Sequence, residues 1–201
     1  MVRPLKYIAI KETTTMSMTR QDALRKIREN GWNLQMIPTD LRDYELCREA
    51  AQNVYPRLSH NQSILCYVPK HLIDRELCKI VLGRDGQALR DVPRELRDRE
   101  LCLLAVQVYG DALADVPAHI RDKEICETAV REDGCAFPSV PKGLRTEELA
   151  YLAVRTNTLA LNWLPERFLS ERVCLRAMRW NLDAVSKYIP EDMFEKLYSG
   201  H

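Results

Sequence analysis

Residues 92–117 read VPRELRDRELCLLAVQVYGDALADVP, and residues 116–141 read VPAHIRDKEICETAVREDGCAFPSVP. The second is the first carried forward by 24 residues: valine-proline, an apolar residue, arginine-aspartate, glutamate, cysteine, alanine-valine and glycine return in register. The same spacing extends outward. Pro69, Pro93, Pro117, Pro141 and Pro165 stand 24 residues apart, Pro190 follows after 25, and Pro38 precedes Pro69 by 31, one period plus seven. Counted from each proline, position +3 holds Leu41, Leu72, Leu96, Ile120, Leu144 and Phe168, and position +9 holds Cys47, Cys78, Cys102, Cys126, Ala150 and Cys174. A divergent earlier copy is TRQDALRKIRENGWNLQMIP, residues 19–38, where Gly31 precedes Pro38 by seven as Gly110 precedes Pro117. A fixed period of this length marks an array of stacked supersecondary units.

Each unit reads as a short helix with its signals in place. Position +5 carries Asp43, Asp74, Asp98, Asp122, Thr146 and Ser170, all with a side-chain oxygen able to accept from the free amides of a helix start. Glutamate two residues later (Glu45, Glu76, Glu100, Glu124, Glu148) suits the positive end of that helix. The apolar residue at +8, cysteine at +9, and the small and apolar pair at +12 and +13 share one face. Gly86, Gly110 and Gly134 are expected to end the helix as the residue just past its C-cap. A helix of about ten residues cannot bury such a stripe alone, so successive units must stack. The expected fold is all-α, a right-handed α-solenoid of about seven 24-residue repeats over residues 18–198, preceded by a segment 1–17 and interrupted by an insert at 52–62. Within the first segment Tyr7-Ile8-Ala9-Ile10 alternates weakly, the pattern of a short strand or cap, and Glu191–Tyr198 reads as a closing helix.

The unit V-P-x-x-L-R-D-x-E-L-C-x-x-A-V-x-x-x-G-x-A-L resembles the repeats of domain-of-unknown-function family 4116, over about residues 18–198 and best from Val68 to Pro165. The resemblance implies a helical repeat protein of a kind found in large or secreted bacterial proteins. It carries no activity, and therefore no residue role. The first 15 residues and the insert depart from the pattern.

Composition sets the function classes. Thirty basic and 29 acidic residues leave a net charge of +1, which argues against the broad basic field of a nucleic-acid-binding chain. No run of about 18 apolar residues exists, so no membrane span is expected. Seven cysteines, five of them in one structural column, point to a reducing, cytoplasmic environment and to buried apolar thiols rather than to a disulfide framework; delivery into a host cell as an effector stays compatible with that. His60, Cys66 and His71 lack the paired short spacings of a zinc site, and His71 and His119 share position +2 two units apart. No phosphate loop, nucleophile elbow or H-E-x-x-H occurs. The expectation is no enzyme, no cofactor and no metal.

Three features go beyond the core pattern. Arg42, Arg97, Arg121 and Arg145 form a column at +4, expected to pair with nearby carboxylates or else to present a ridge to carboxylates or phosphates. Leu103-Leu104 and Tyr151-Leu152, at +10 and +11, put apolar side chains where the helix turns away from its stripe, giving either a thicker core or a partner-binding patch. The insert QNVYPRLSHNQ offers Tyr55, Arg57 and His60 on one face of the array. The expected function is a non-enzymatic protein-interaction module with another protein as partner. The rivals are a secreted bacterial effector or enzyme with an unrecognised site, and a nucleic-acid-binding repeat protein.

Overall fold

The computed structural model describes residues 18–54, 62–179 and 186–198, and among them every regular element is helical. Seven α-helices recur at the repeat interval: α1 (Arg20–Glu29), α2 (Tyr44–Gln52), α3 (Arg75–Leu82), α4 (Arg99–Val108), α5 (Lys123–Glu132), α6 (Glu147–Thr156) and α7 (Glu171–Met178). Helices α1, α4, α5 and α6 each lead into a six-residue 3-10 helix (Gly31–Met36, Gly110–Asp115, Gly134–Ser139 and Thr158–Trp163), and Gly86–Asp91 follows α3. Three-residue 3-10 turns, such as Arg94–Leu96, then begin directly after the repeat proline. Each α-helix packs on the next, the 3-10 segments pack on one another, and the two rows face across the core, giving a two-layered α-solenoid. The closing helix Glu191–Tyr198 stands against α7. Tyr7–Ile10 lies outside the described residues.

The +5 column caps as its chemistry predicts. Asp43, Asp74, Asp98 and Asp122 accept from the amides of Leu46, Leu77, Leu101 and Ile125 at 2.8–2.9 Å, and Thr146 accepts from Leu149 at 3.2 Å. Ser170 is the exception: it precedes α7 without such a bond, and its Oγ is buried with no partner. The stripe is the core. Leu101, Cys102, Ala105 and Val106 are fully buried in α4, as are Ile125, Cys126, Ala129 and Val130 in α5. Phe137 and Phe168 join the C-terminal units edge to face, 5.7 Å between centroids.

The glycines do not act as helix C′ residues. None of the described glycines has a positive φ, and each of Gly31, Gly86, Gly110 and Gly134 is the first residue of a 3-10 helix. Their reason is tertiary. A Cβ on these four would stand closer than 3.0 Å to the carbonyl oxygens of Ala50, Ala105, Ala129 and Ala153, the +12 alanines of the following helix. Glycine and alanine together let one unit's 3-10 segment touch the next unit's α-helix backbone to backbone. Where Gln62 and Thr158 occupy the glycine position, the 3-10 segment and the next helix approach less closely. At the first of these seams the 3-10 helix shortens to Ile64–Tyr67, and a void of about 10 Å³ opens between Ala51, Val54, Ile64 and Val81.

Candidate functional site

The +4 arginines neither pair with carboxylates nor form an open ridge. Arg97 donates from Nε to Val92 O (2.9 Å), from Nη2 to Arg90 O (2.9 Å) and from Nη1 to Asp115 O at the end of the following six-residue 3-10 helix (2.9 Å). Arg121 repeats the fork on Val116 O, Ala114 O and Ser139 O at 2.8–3.0 Å. Arg42 reaches Ile37 O and, across the insert, Tyr67 O, and Arg145 reaches Val140 O and Pro138 O. Runs of 3-10 helix beyond three or four residues are uncommon because their hydrogen bonds are poor. Here the planar guanidinium takes carbonyls at the C-terminal end of the six-residue 3-10 helix before it and, in Arg97 and Arg121, ties that end to the next one. The column is a set of internal clips, so these cations are not offered to a ligand.

A second charged row bridges the α-helices. Arg20 bonds Asp43 at 2.8 Å, Arg75 bonds Asp98 at 2.9 Å and Glu100, and Arg99 bonds Asp122 at 2.8 Å and Glu124. The Ile125 amide, then the Arg99 guanidinium, hold the Asp122 carboxyl below its ordinary range against the cost of desolvation. Each N-cap aspartate thereby serves its own helix and the preceding unit at once.

The face of the α-layer turned from the stripe carries the apolar break in the pattern. Leu103, Leu104, Tyr151 and Leu152 are all half-buried and lean on the edge of the core, so they are neither a covered second core nor fully exposed. Tyr151 is roofed by Arg172 of the next helix, 4.0 Å from its ring centroid, and Arg172 also bonds Glu148. Tyr151, Glu171, Arg172, Leu175, Arg176 and Arg179 line an open concavity of about 380 Å³ between α6 and α7. On the 3-10 side, Leu159 and Trp163 are 62% and 60% exposed. Tyr55, Arg57 and His60 lie outside the described residues, so the structure does not place them beside the ridge.

Sequence reasoning missed a different arginine column. At +14, Arg131, Arg155 and Arg179 are exposed in three successive units, where earlier units carry Gln52, Gly83 and Gln107. None has a carboxylate partner among the described residues. The signal was present as a repeat position that is basic in three successive C-terminal units. It stayed hidden because the +4 column looked like the stronger one.

The thiols divide as their register predicts. Cys47, Cys78, Cys102, Cys126 and Cys174 are buried and free, and desolvation pushes each up to about 11. Cys66 is exposed and Cys135 half-buried. His71 and His119 are exposed, and among the described residues no three His, Cys, Asp or Glu side chains are grouped to hold a metal ion. No described helix is long and apolar enough to cross a membrane.

With this geometry in place, the comparisons agree with the repeat. The model of a domain of unknown function, DUF4116, matches residues 74–121 and again 98–145, two copies offset by one 24-residue unit. The matched residues span α3 to the turn before α6, the stretch in which glycine, clip arginine and N-cap aspartate are most complete. No curated protein and no solved structure matches the chain.

Proposed function

We propose that this array of DUF4116 repeats is a non-enzymatic protein-interaction module. What carries the reading is two half-buried apolar pairs, Leu103-Leu104 on α4 and Tyr151-Leu152 on α6, on the side of these helices away from the stripe. Stacking requires the stripe and the 3-10 row; at the same positions α5 carries the polar Glu127-Thr128 pair, half-buried to the same degree. Apolar pairs spaced along a stacked array offer a partner separate anchor points on a long, shallow surface, the use to which solenoid surfaces are put. The internal use of the +4 arginines removes one reason to expect a polyanionic ligand.

The test is capture of a protein partner from a lysate of the source cell or its host, with the wild-type chain and with Leu104→Glu/Leu152→Glu. Both leucines are only half-buried, so far-UV circular dichroism of the double variant should stay helical while the captured protein is lost. A variant that keeps its partner, or a wild-type chain that captures none, overturns the proposal.

A further inference from the structure

We infer that the concavity between α6 and α7 takes an acidic segment of a protein partner, with carboxylates meeting Arg155, Arg176 and Arg179 and an apolar side chain lying on Leu175. This rests on the interaction reading and names the chemistry of the partner. Two carboxylates of this face are already committed: Glu148 bonds Arg172, and Glu171 bonds Lys196 of the closing helix at 3.1 Å. Arg155, Arg176 and Arg179 have no carboxylate among the described residues. Arg176 is aimed by a long bond from Nη2 to Arg155 O (3.5 Å), and it lines the concavity together with Arg179.

A cation in the last turn suits the negative end of a helix, which accounts for one arginine per helix. It does not account for a second on α7, where the equivalent residues of α4 and α6 are Leu104 and Leu152. At this end of the array the apolar pairs therefore give way to a mixed surface: Tyr151 and Leu175 for packing, with Arg155, Arg176 and Arg179 around them lacking a carboxylate among the described residues. Guanidinium forks match the planar, two-oxygen geometry of a carboxylate.

Phosphates of a single-stranded nucleic acid would meet the same cations, but two observations favour a peptide. Stacking of bases needs an open aromatic face, and the Tyr151 ring is covered by Arg172. Glu147, Glu148 and Glu171 also stand on this surface, where a segment with spaced carboxylates can avoid them and a continuous polyphosphate cannot.

The experiment titrates the full ¹⁵N-labelled chain with a synthetic 15-residue peptide of repeated Glu-Leu-Glu, and separately with the oligonucleotide dT15. The peptide should move the amide resonances of Tyr151, Leu175 and Arg176. Its affinity should fall several-fold between low and high salt, as expected for rim charges. Arg155→Glu/Arg179→Glu should weaken it about tenfold or more, the direction expected when attraction is turned to repulsion, and Arg155→Gln/Arg179→Gln should do so less; Arg94→Glu, an exposed site on another unit, should leave it unchanged. No shifts at millimolar peptide, equal binding by the charge-reversed chain, or tighter binding of dT15 than of peptide would each overturn the inference. If a partner is still captured through Leu104 and Leu152 while the peptide fails, only this inference falls. If neither binds, the interaction reading falls with it.

Discussion

Gly110→Ala isolates the contact that sets the spacing of the solenoid. Gly110 opens a 3-10 helix with a negative φ, so alanine there brings no backbone strain of its own. The cost is the space its methyl needs. The added Cβ would stand 2.8 Å from Asp133 N, 3.1 Å from Asp133 Cβ and closer still to Ala129 O, whereas ordinary contact begins at 3.4 Å. All three atoms are rigid, two of them backbone, so the α4 and α5 units must part by more than half an ångström. Overpacking of this kind costs about 1–3 kcal/mol, and a gap of about 0.5–1 Å forfeits roughly a quarter to a half of each dispersion contact across the seam. Alanine returns about 0.4–1 kcal/mol by restricting the unfolded chain. The expected net loss is about 2 kcal/mol, which for a chain of this size lowers the melting temperature by about 4–8 °C. Gly143→Ala is the internal control. Nothing lies within 4 Å of a Cβ at Gly143, so only the unfolded-state gain remains, and the melting temperature should rise by about 1–4 °C. Thermal melts of both variants by circular dichroism, at one protein concentration and scan rate, decide the matter. If Gly110→Ala is as stable as wild type, or the two substitutions shift the melt alike, close approach is not why glycine recurs.

Three further outcomes follow from the same geometry. Arg121→Lys keeps the charge but cannot fork to Val116 O, Ala114 O and Ser139 O together, so it should cost about 2 kcal/mol in urea unfolding, whereas Arg94→Lys should be neutral within about 0.5 kcal/mol. Asp122→Ala should cost about 1 kcal/mol through the lost Ile125 cap; because the Asp122 carboxyl is held low in the folded chain, its contribution is present above the unfolded carboxylate range and disappears as pH falls through the folded value, so the difference from wild type should shrink in acid. Under native conditions a thiol reagent should modify Cys66 first and Cys135 second, with Cys47, Cys78, Cys102, Cys126 and Cys174 reacting only on unfolding. Since burial raises those five to about 11, stability should be unaffected below the ordinary thiol range near 9 and fall as pH rises from 9 toward 11, with a shallower fall in Cys102→Ala.

The repeat, its helices and its core were legible in the residues because they rest on local rules. N-cap aspartates, the apolar stripe from +8 to +13 and the proline spacing act within one unit, and stacking follows from a stripe too short to be buried alone. The cysteine column was legible for the same reason: five equivalent positions on a buried face, with Ala150 substituting for one. Glycine and arginine misled because their partners lie in other structural elements, far along the chain. Gly110 looked like a helix terminator, yet its constraint is Ala129 O, 19 residues on; Arg97 looked like half of an ion pair, yet its third bond goes to Asp115 O, 18 residues on. Those distances along the chain become contacts only when the 3-10 row of one unit is laid on the α-row of the next, and no pattern of residue types distinguishes a carbonyl partner from a carboxylate one. The same stacking decided that Leu104 and Leu152 are half-buried and that Arg172 roofs Tyr151, leaving Arg155, Arg176 and Arg179 without carboxylate partners among the described residues. Local chemistry determined what each unit is, and the interface between units determined which side chains stay at the surface.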